Sequence, residues 1–127
     1  MPSKGQINTY YFGRYRKPNK YRNVKITADG MTFDSQKEYE RYCVLKLMQK
    51  SGRISGLQRQ VKYLLIPSQK GEIRNEKPCN YKADFVYVMD GKTVVEDVKS
   101  EATRKNKDYV IKRKLMKYVH NIEVQEV

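Results

Sequence analysis

Three side chains in the stretch YKADFVYVMDGKTVVEDVKS, residues 81–100, could do chemistry together: Asp84, Asp97 and Lys99. Asp-Gly between two alternating, valine-rich runs is a strong signal for a two-residue type I′ turn. With Asp90 and Gly91 as that turn, residues pair outward as Val86 with Val95, Phe85 with Glu96, and Asp84 with Asp97. Directly opposed side chains have Cβ atoms about 4.5–5.5 Å apart, and like charges there destabilise a sheet. Two facing carboxylates therefore ask for a cation between them. A four-residue loop keeps this register, whereas a three-residue loop breaks it. Lys99 lies two residues beyond Asp97 and projects from the same face, about 7 Å along the strand. Two hard oxygen donors with an ammonium at their edge suit magnesium. Magnesium held in this way can bind a phosphodiester oxygen and acidify a water. The lysine can orient that water or offset charge developing on the phosphorane. Glu96 faces the other way by strand alternation, so it is set outside the site, with an ion pair to a basic helix residue as its expected role. The tripeptide D-x-K alone is a weak signal, and an i,i+2 salt bridge on an exposed strand is its plain reading. The facing Asp84 makes it more specific.

These acids stand out because the chain is strongly basic. Its 127 residues carry 27 Lys and Arg against 14 Asp and Glu, a net charge of +13. Such a balance points to a polyanionic partner, most simply nucleic acid, with basicity for solubility alone as the plain alternative. An anionic membrane surface is the competing idea, but no long basic amphipathic helix with Trp or Phe anchors supports it. No apolar run approaches the roughly 20 residues of a membrane span, and the N-terminal residues contain no apolar segment of the kind a secretory signal needs. Hydrophobic residues at 39% and charged residues at 32% suit a globular domain with a modest core rather than a disordered chain. Cys43 and Cys79, far apart and in no CxxC spacing, read as two reduced thiols of a cytoplasmic protein.

The elements that must position the acids follow from spacing. Residues 1–25 contain no acid and interleave Lys4, Arg14, Arg16, Lys17, Lys20, Arg22 and Lys25 with five aromatic residues. Gly13 and Pro18 interrupt any regular element. This reads as a flexible basic arm suited to phosphate contact and stacking, or as a tail that merely attracts polyanions. Residues 26–127 read as one domain. A helix is expected from Ser35 to Lys50, opened by the S-x-x-E capping box of Ser35 and Glu38 and closed by Gly52. Glu38, Tyr42 and Leu45 share one face of it; Cys43, Val44 and Leu47 widen the apolar surface, so the helix is expected to be well buried. A strand follows near Gln60–Ile66, then a polar excursion over residues 67–80, then the hairpin. A second helix is expected near Thr103–Tyr118, where seven basic residues (Arg104, Lys105, Lys107, Lys112, Arg113, Lys114, Lys117) face one acid, Asp108. Some of these serve a solvated face and others a DNA-facing surface. A short strand over residues 122–127 completes an αβββαβ order. His120, the only histidine, sits at a helix end, which argues against histidine-based acid–base chemistry.

Taken together, FDSQKE, YKADF and VVEDVK resemble the PD-(D/E)XK nuclease superfamily, the restriction-endonuclease-like α/β fold with a mixed sheet. Within it the chain is similar to small phage-borne nuclease domains and, more distantly, to phage-type Holliday-junction resolvases. The likeness spans about Tyr21 to Val127, with Ala83 where a proline often precedes the first aspartate. It implies an endonuclease of DNA in which Glu38, Asp84 and Asp97 act with Lys99 and Mg²⁺ or Mn²⁺. Gln60 is expected to line the same site, and Lys112 and Tyr109 either line it or belong to an ordinary basic surface. For Glu38, capping alone and a role at the metal are both open. Arg14, Arg16, Lys17, Lys20, Arg22, Arg104, Lys105, Lys107 and Arg113 are the expected DNA contacts. The resemblance further implies a homodimer acting on branched DNA in the cytoplasm of a bacterial host, encoded by a phage or prophage. The rival expectation is a nucleic-acid-binding protein that keeps the fold without catalysis.

Overall fold

Two hairpins in the chain turn on the same dipeptide. Residues 24–127 are described in the computed structural model, and the basic arm, with Arg14, Arg16, Lys17, Lys20 and Arg22, lies outside them up to residue 23. The first hairpin joins β1 (Ile26–Ala28) to β2 (Met31–Phe33) through Asp29-Gly30. The second joins β4 (Cys79–Met89) to β5 (Lys92–Asp97) through Asp90-Gly91. In each turn the aspartate has φ 53° and the glycine φ 75°, the left-handed pair that a type I′ turn requires.

The chain divides into two compact units, one ending at Leu45 and the other Lys46–Val127, and the boundary falls inside α1 (Gln36–Lys50). In the first unit Phe33 is fully buried, with the rings of Tyr39 and Tyr42 each 5.2 Å away. Ser35 caps α1, its Oγ accepting from the Glu38 N–H at 3.1 Å, as the capping box predicts. At the other end Arg53 N–H donates to the Met48 carbonyl and Gly52 N–H to that of Gln49. With Gly52 at φ 83°, this is a Schellman ending. Glu38 and Leu45 are the buried positions of α1. The helix is not well buried, contrary to the expectation from its composition: Leu47 is 68% exposed and Val44 45%.

The second unit is a four-stranded sheet in the order β3-β4-β5-β6, with β3 (Ser55–Ile66) and β6 (Gln125–Glu126) at its edges. The first three strands are antiparallel, and β6 joins β5 in parallel, Glu96 beside Gln125 and Asp97 beside Glu126. A parallel return needs a crossover. That crossover is two helices rather than the one expected: α2 (Glu101–Arg104) and α3 (Lys107–His120). They separate at Asn106, whose side chain accepts from the Tyr109 N–H and starts α3 afresh. Asn121, at φ 57°, ends it. Strand β3 begins five residues earlier than the spacing suggests, and the closing strand is shorter, at two residues. The excursion over residues 67–78 is tied across its base by a Gln69–Glu76 bridge. The architecture is mixed α and β with a mostly antiparallel sheet.

The core of this unit joins Leu65, Tyr81, Ala83, Val86 and Val95 of the sheet to Tyr109 and Met116, two turns apart on α3. Each fully buried apolar side chain of this size contributes about 1.5–3 kcal/mol. Along β4 the inward series runs 81, 83, then 86, although strict alternation would continue to 85. The β3–β4 ladder skips one couple at the same place: Arg59 pairs with Phe85 and Val61 with Ala83, while Gln60, at φ 55°, and Asp84 are left out of the pairing. The break in the pleat falls on the acid.

Candidate active site

The second hairpin has the register expected of it, with Val86 opposite Val95 and Phe85 opposite Glu96. One step further from the turn come Asp84 and Asp97, close enough for the Asp97 carboxylate to act on that of Asp84. Asp84 is half-buried and accepts from the Val98 N–H at 2.9 Å and from the Gln60 amide at 3.3 Å. Asp97 is 1% exposed. Its Oδ2 accepts from the Tyr81 hydroxyl at 2.5 Å and lies 3.3 Å from Lys99 Nζ. The lysine ammonium also sits over the Tyr109 ring, 4.7 Å from its centroid. The backbone ties the end of β5 to the residue after β6: Val127 N–H donates to the Asp97 carbonyl, and Lys99 N–H to that of Val127.

Electrostatics follow from the crowding. Burial first, then the hydrogen bond and charge of Asp97, push the Asp84 carboxyl up to about 7, against the pull of the Val98 N–H and Lys99. Asp84 therefore holds a proton up to near neutral pH. Burial, followed by the Asp97 charge and hydrogen bond, raises the Tyr81 hydroxyl far above its ordinary range, so it stays a donor. Two neighbouring carboxyl groups, one of them kept protonated by burial and by the other's charge, are a place for a divalent cation. Its donors are carboxylate oxygens, which suit Mg²⁺ or Mn²⁺ rather than zinc. No group of three or more His, Cys, Asp or Glu able to hold a metal forms among the described residues. Two carboxylates fit magnesium, which usually keeps several waters and takes its remaining ligands from substrate phosphates.

The model of one protein family, described as "Protein of unknown function (DUF1064)", matches residues 18–126. The chain belongs to the DUF1064 family. No curated protein and no solved structure matches it. The matched residues of this DUF1064 chain include Gln60, Asp84, Asp97 and Lys99, which the structure brings together, and also Tyr81, Tyr109 and Glu126, which adjoin them.

The other expected residues of the DUF1064 chain have these surroundings. Glu38 belongs to the first unit; it is buried, and its Oε1 accepts from the Asp34 N–H at 2.9 Å, one residue beyond the usual reach of a capping box. Glu96, on the face opposite Val86 and Val95, is buried and accepts a short hydrogen bond from the Tyr87 hydroxyl. Lys112 is half-buried on α3, with no ion pair among the described residues. Arg104 and Arg113 are held by Glu126, at 3.7 and 3.0 Å. Lys105 and Lys107 are exposed and form no ion pair among the described residues. His120 contacts the Leu64 carbonyl at 2.7 Å and the Tyr63 ring. Sequence reasoning missed Tyr81 and Glu126. Alternation places Tyr81 and Asp97 on opposite faces, and only the break at Asp84 lets them meet. Glu126 carried a faint signal, an acid in the closing strand of a basic chain.

Proposed function

We propose that this chain is a metal-dependent DNA endonuclease built on a restriction-endonuclease-like core. The observation that carries the reading is the Asp84–Asp97 pair, facing across a hairpin in a chain of net charge +13, with Lys99 beside Asp97. Asp84 and Asp97 would hold Mg²⁺ or Mn²⁺. Such an ion supplies Lewis-acid polarisation of a phosphate oxygen and a more acidic water. The protein's own groups do the rest. Tyr81 occupies Oδ2 of Asp97 and so fixes the rotation of that carboxylate. Val98 N–H and Gln60 fix that of Asp84. Lys99 would offset the negative charge that develops on the phosphorane oxygens. Glu38 is the further acid that the resemblance assigns. The basic arm, Lys105 and Lys107 would grip the DNA backbone. Homodimerisation, branched DNA as substrate and a cytoplasmic setting rest on the resemblance alone. No helix among the described residues is long and apolar enough to cross a membrane.

The test is a panel of linear, nicked, flap and four-way DNA, each with Mg²⁺, Mn²⁺, Ca²⁺ or EDTA. Cleavage of at least one form with Mg²⁺ or Mn²⁺, and of none with EDTA, is expected. Tight binding in every buffer with no cleavage of any form would replace the enzyme with a nucleic-acid-binding protein.

A further inference from the structure

The proposed reaction needs Lys99 at Asp97, yet a lysine side chain has four rotatable bonds and every reason to extend into water. What restrains it is on the facing helix. Tyr109 is 8% exposed, and its ring face lies 4.7 Å from Lys99 Nζ, well inside the range of a cation–π contact. The ring itself is clamped. Its hydroxyl donates to Glu126 Oε2 at 2.6 Å, and Arg113 donates to the same oxygen at 3.0 Å while its guanidinium lies 5.7 Å from the ring centroid. Arg104 approaches the other oxygen of Glu126 at 3.7 Å. Glu126 comes from the strand that pairs in parallel with β5 and stands beside Asp97 in that ladder. Burial works against the Glu126 carboxylate, but the bonds from Tyr109 and Arg113 outweigh it and hold its pKa below the ordinary range. It therefore remains an acceptor at neutral pH.

Core packing alone calls for the apolar area of a large ring at this position. It calls neither for a hydroxyl aimed at a charge-balanced carboxylate nor for an ammonium on the ring face. We infer that Tyr109, oriented by Glu126, is a positioning residue that fixes the Lys99 ammonium beside Asp97. This rests on the reading of Asp97 and Lys99 as a nuclease site for its purpose, but its geometry can be tested without any cleavage. The hydroxyl points the ring, the ring face confines the ammonium, and the ammonium stays on Asp97 Oδ2. Two tyrosines thus divide the work: Tyr81 sets the acid and Tyr109 sets the lysine.

The test reads Lys99 directly. In the full chain carrying ¹³C,¹⁵N-lysine, the Lys99 Cε–Hε signal is assigned by its disappearance in Lys99→Arg. In the wild-type protein it should be shifted upfield by the ring current and be as ordered as the backbone. Tyr109→Leu should return it to the position and mobility of the solvated lysines. Tyr109→Phe, which keeps the ring, should retain most of the shift, and Glu126→Gln should lose part of it. Methyl signals of Met116 and Val95 report whether the core is intact. An unmoved, equally ordered Lys99 signal in folded Tyr109→Leu overturns the inference. Should that variant not fold, an unmoved signal in Glu126→Gln, whose side chain is partly exposed, overturns it instead. With DNA and Mg²⁺, Tyr109→Leu should lower kcat about thirtyfold, the size of one desolvated cation–π contact, with KM unchanged and most of the rate restored by Tyr109→Phe. A wild-type protein that cuts no DNA ends the nuclease reading and leaves the Lys99 signal to decide the positioning.

Discussion

The two hairpins share a turn and differ in everything beyond it. Asp29-Gly30 and Asp90-Gly91 have matching left-handed conformations. The first turn closes strands of three residues that run out at an apolar pair, Ile26 opposite Phe33. The second closes a longer ladder that ends, away from the turn, at Phe85 opposite Glu96, with Asp84 and Asp97 the next residues beyond. A type I′ turn sets register and nothing else. The open end of the second hairpin differs: register brings two acids to it, and a break in the pleat brings Tyr81 within reach of one of them. The comparison separates what a turn specifies from what side chains add, and substitutions can pull the two apart.

The largest effect should come from the open end of the second hairpin. Asp97→Asn and Lys99→Ala should each lower DNA cleavage by about 10²–10³-fold or more, the range for removing a group that stabilises transition-state charge. DNA affinity should stay near that of the wild-type protein, because it comes from many phosphate contacts. Gel cleavage and binding assays on one preparation check both.

Next come the turns themselves. Gly30→Ala and Gly91→Ala each place a Cβ on a residue at φ 75°, costing about 1–2 kcal/mol. The two losses of stability should be similar in thermal melts. Cleavage should fall only for Gly91→Ala, whose turn aligns the acids. Equal loss of activity in both variants would mean that general stability, not register, governs the site.

The carboxylate pair should show itself in stability against pH. Below about 4 Asp84 carries its proton in both folded and unfolded chains. Between there and about 7 the unfolded chain releases it while the folded chain keeps it. Stability in EDTA should therefore fall across that window and level off above it. Asp84→Asn should remove this fall and be more stable than the wild-type protein above pH 7 by about 1–3 kcal/mol. In excess Mg²⁺ the gap should narrow or reverse, since the wild-type site gains from the bound ion. A pH-independent difference that ignores Mg²⁺ would contradict the pair.

The smallest effect concerns the arm. Deleting residues 1–20 removes Lys4, Arg14, Arg16, Lys17 and Lys20. It should lower the slope of log affinity against log salt by up to about four, with the cleavage rate at saturating DNA unchanged.

The register of the second hairpin was legible because Asp-Gly sits between runs long enough to show alternation. The same dipeptide in ITADGMTF builds a hairpin that spacing alone does not reveal, since three-residue strands have no period to read. Capping at both ends of α1 was legible for a similar reason: Ser35, Glu38 and Gly52 act on neighbouring backbone. The burial of that helix was not, because residue type does not decide exposure, and Val44 and Leu47 remain on the surface. The partners of Asp97 and Lys99 were hidden for two different reasons. Tyr81 reaches Asp97 through a local failure of alternation, and Glu126 reaches Tyr109 through a parallel pairing across the whole crossover. Neither is a property of any short window of sequence.

The central claim is that the open end of the second hairpin is a divalent-cation site. Calorimetric titration of the full chain with Mn²⁺ at pH 6 and pH 8 tests it most directly, with Asp97→Asn alongside. The wild-type protein should bind more tightly at pH 8 and release a proton on binding at pH 6, because the ion displaces the proton held by Asp84. Asp97→Asn should show no saturable heat at either pH. Equal Mn²⁺ binding by the two proteins, or binding by the wild-type protein that ignores pH, would contradict the account.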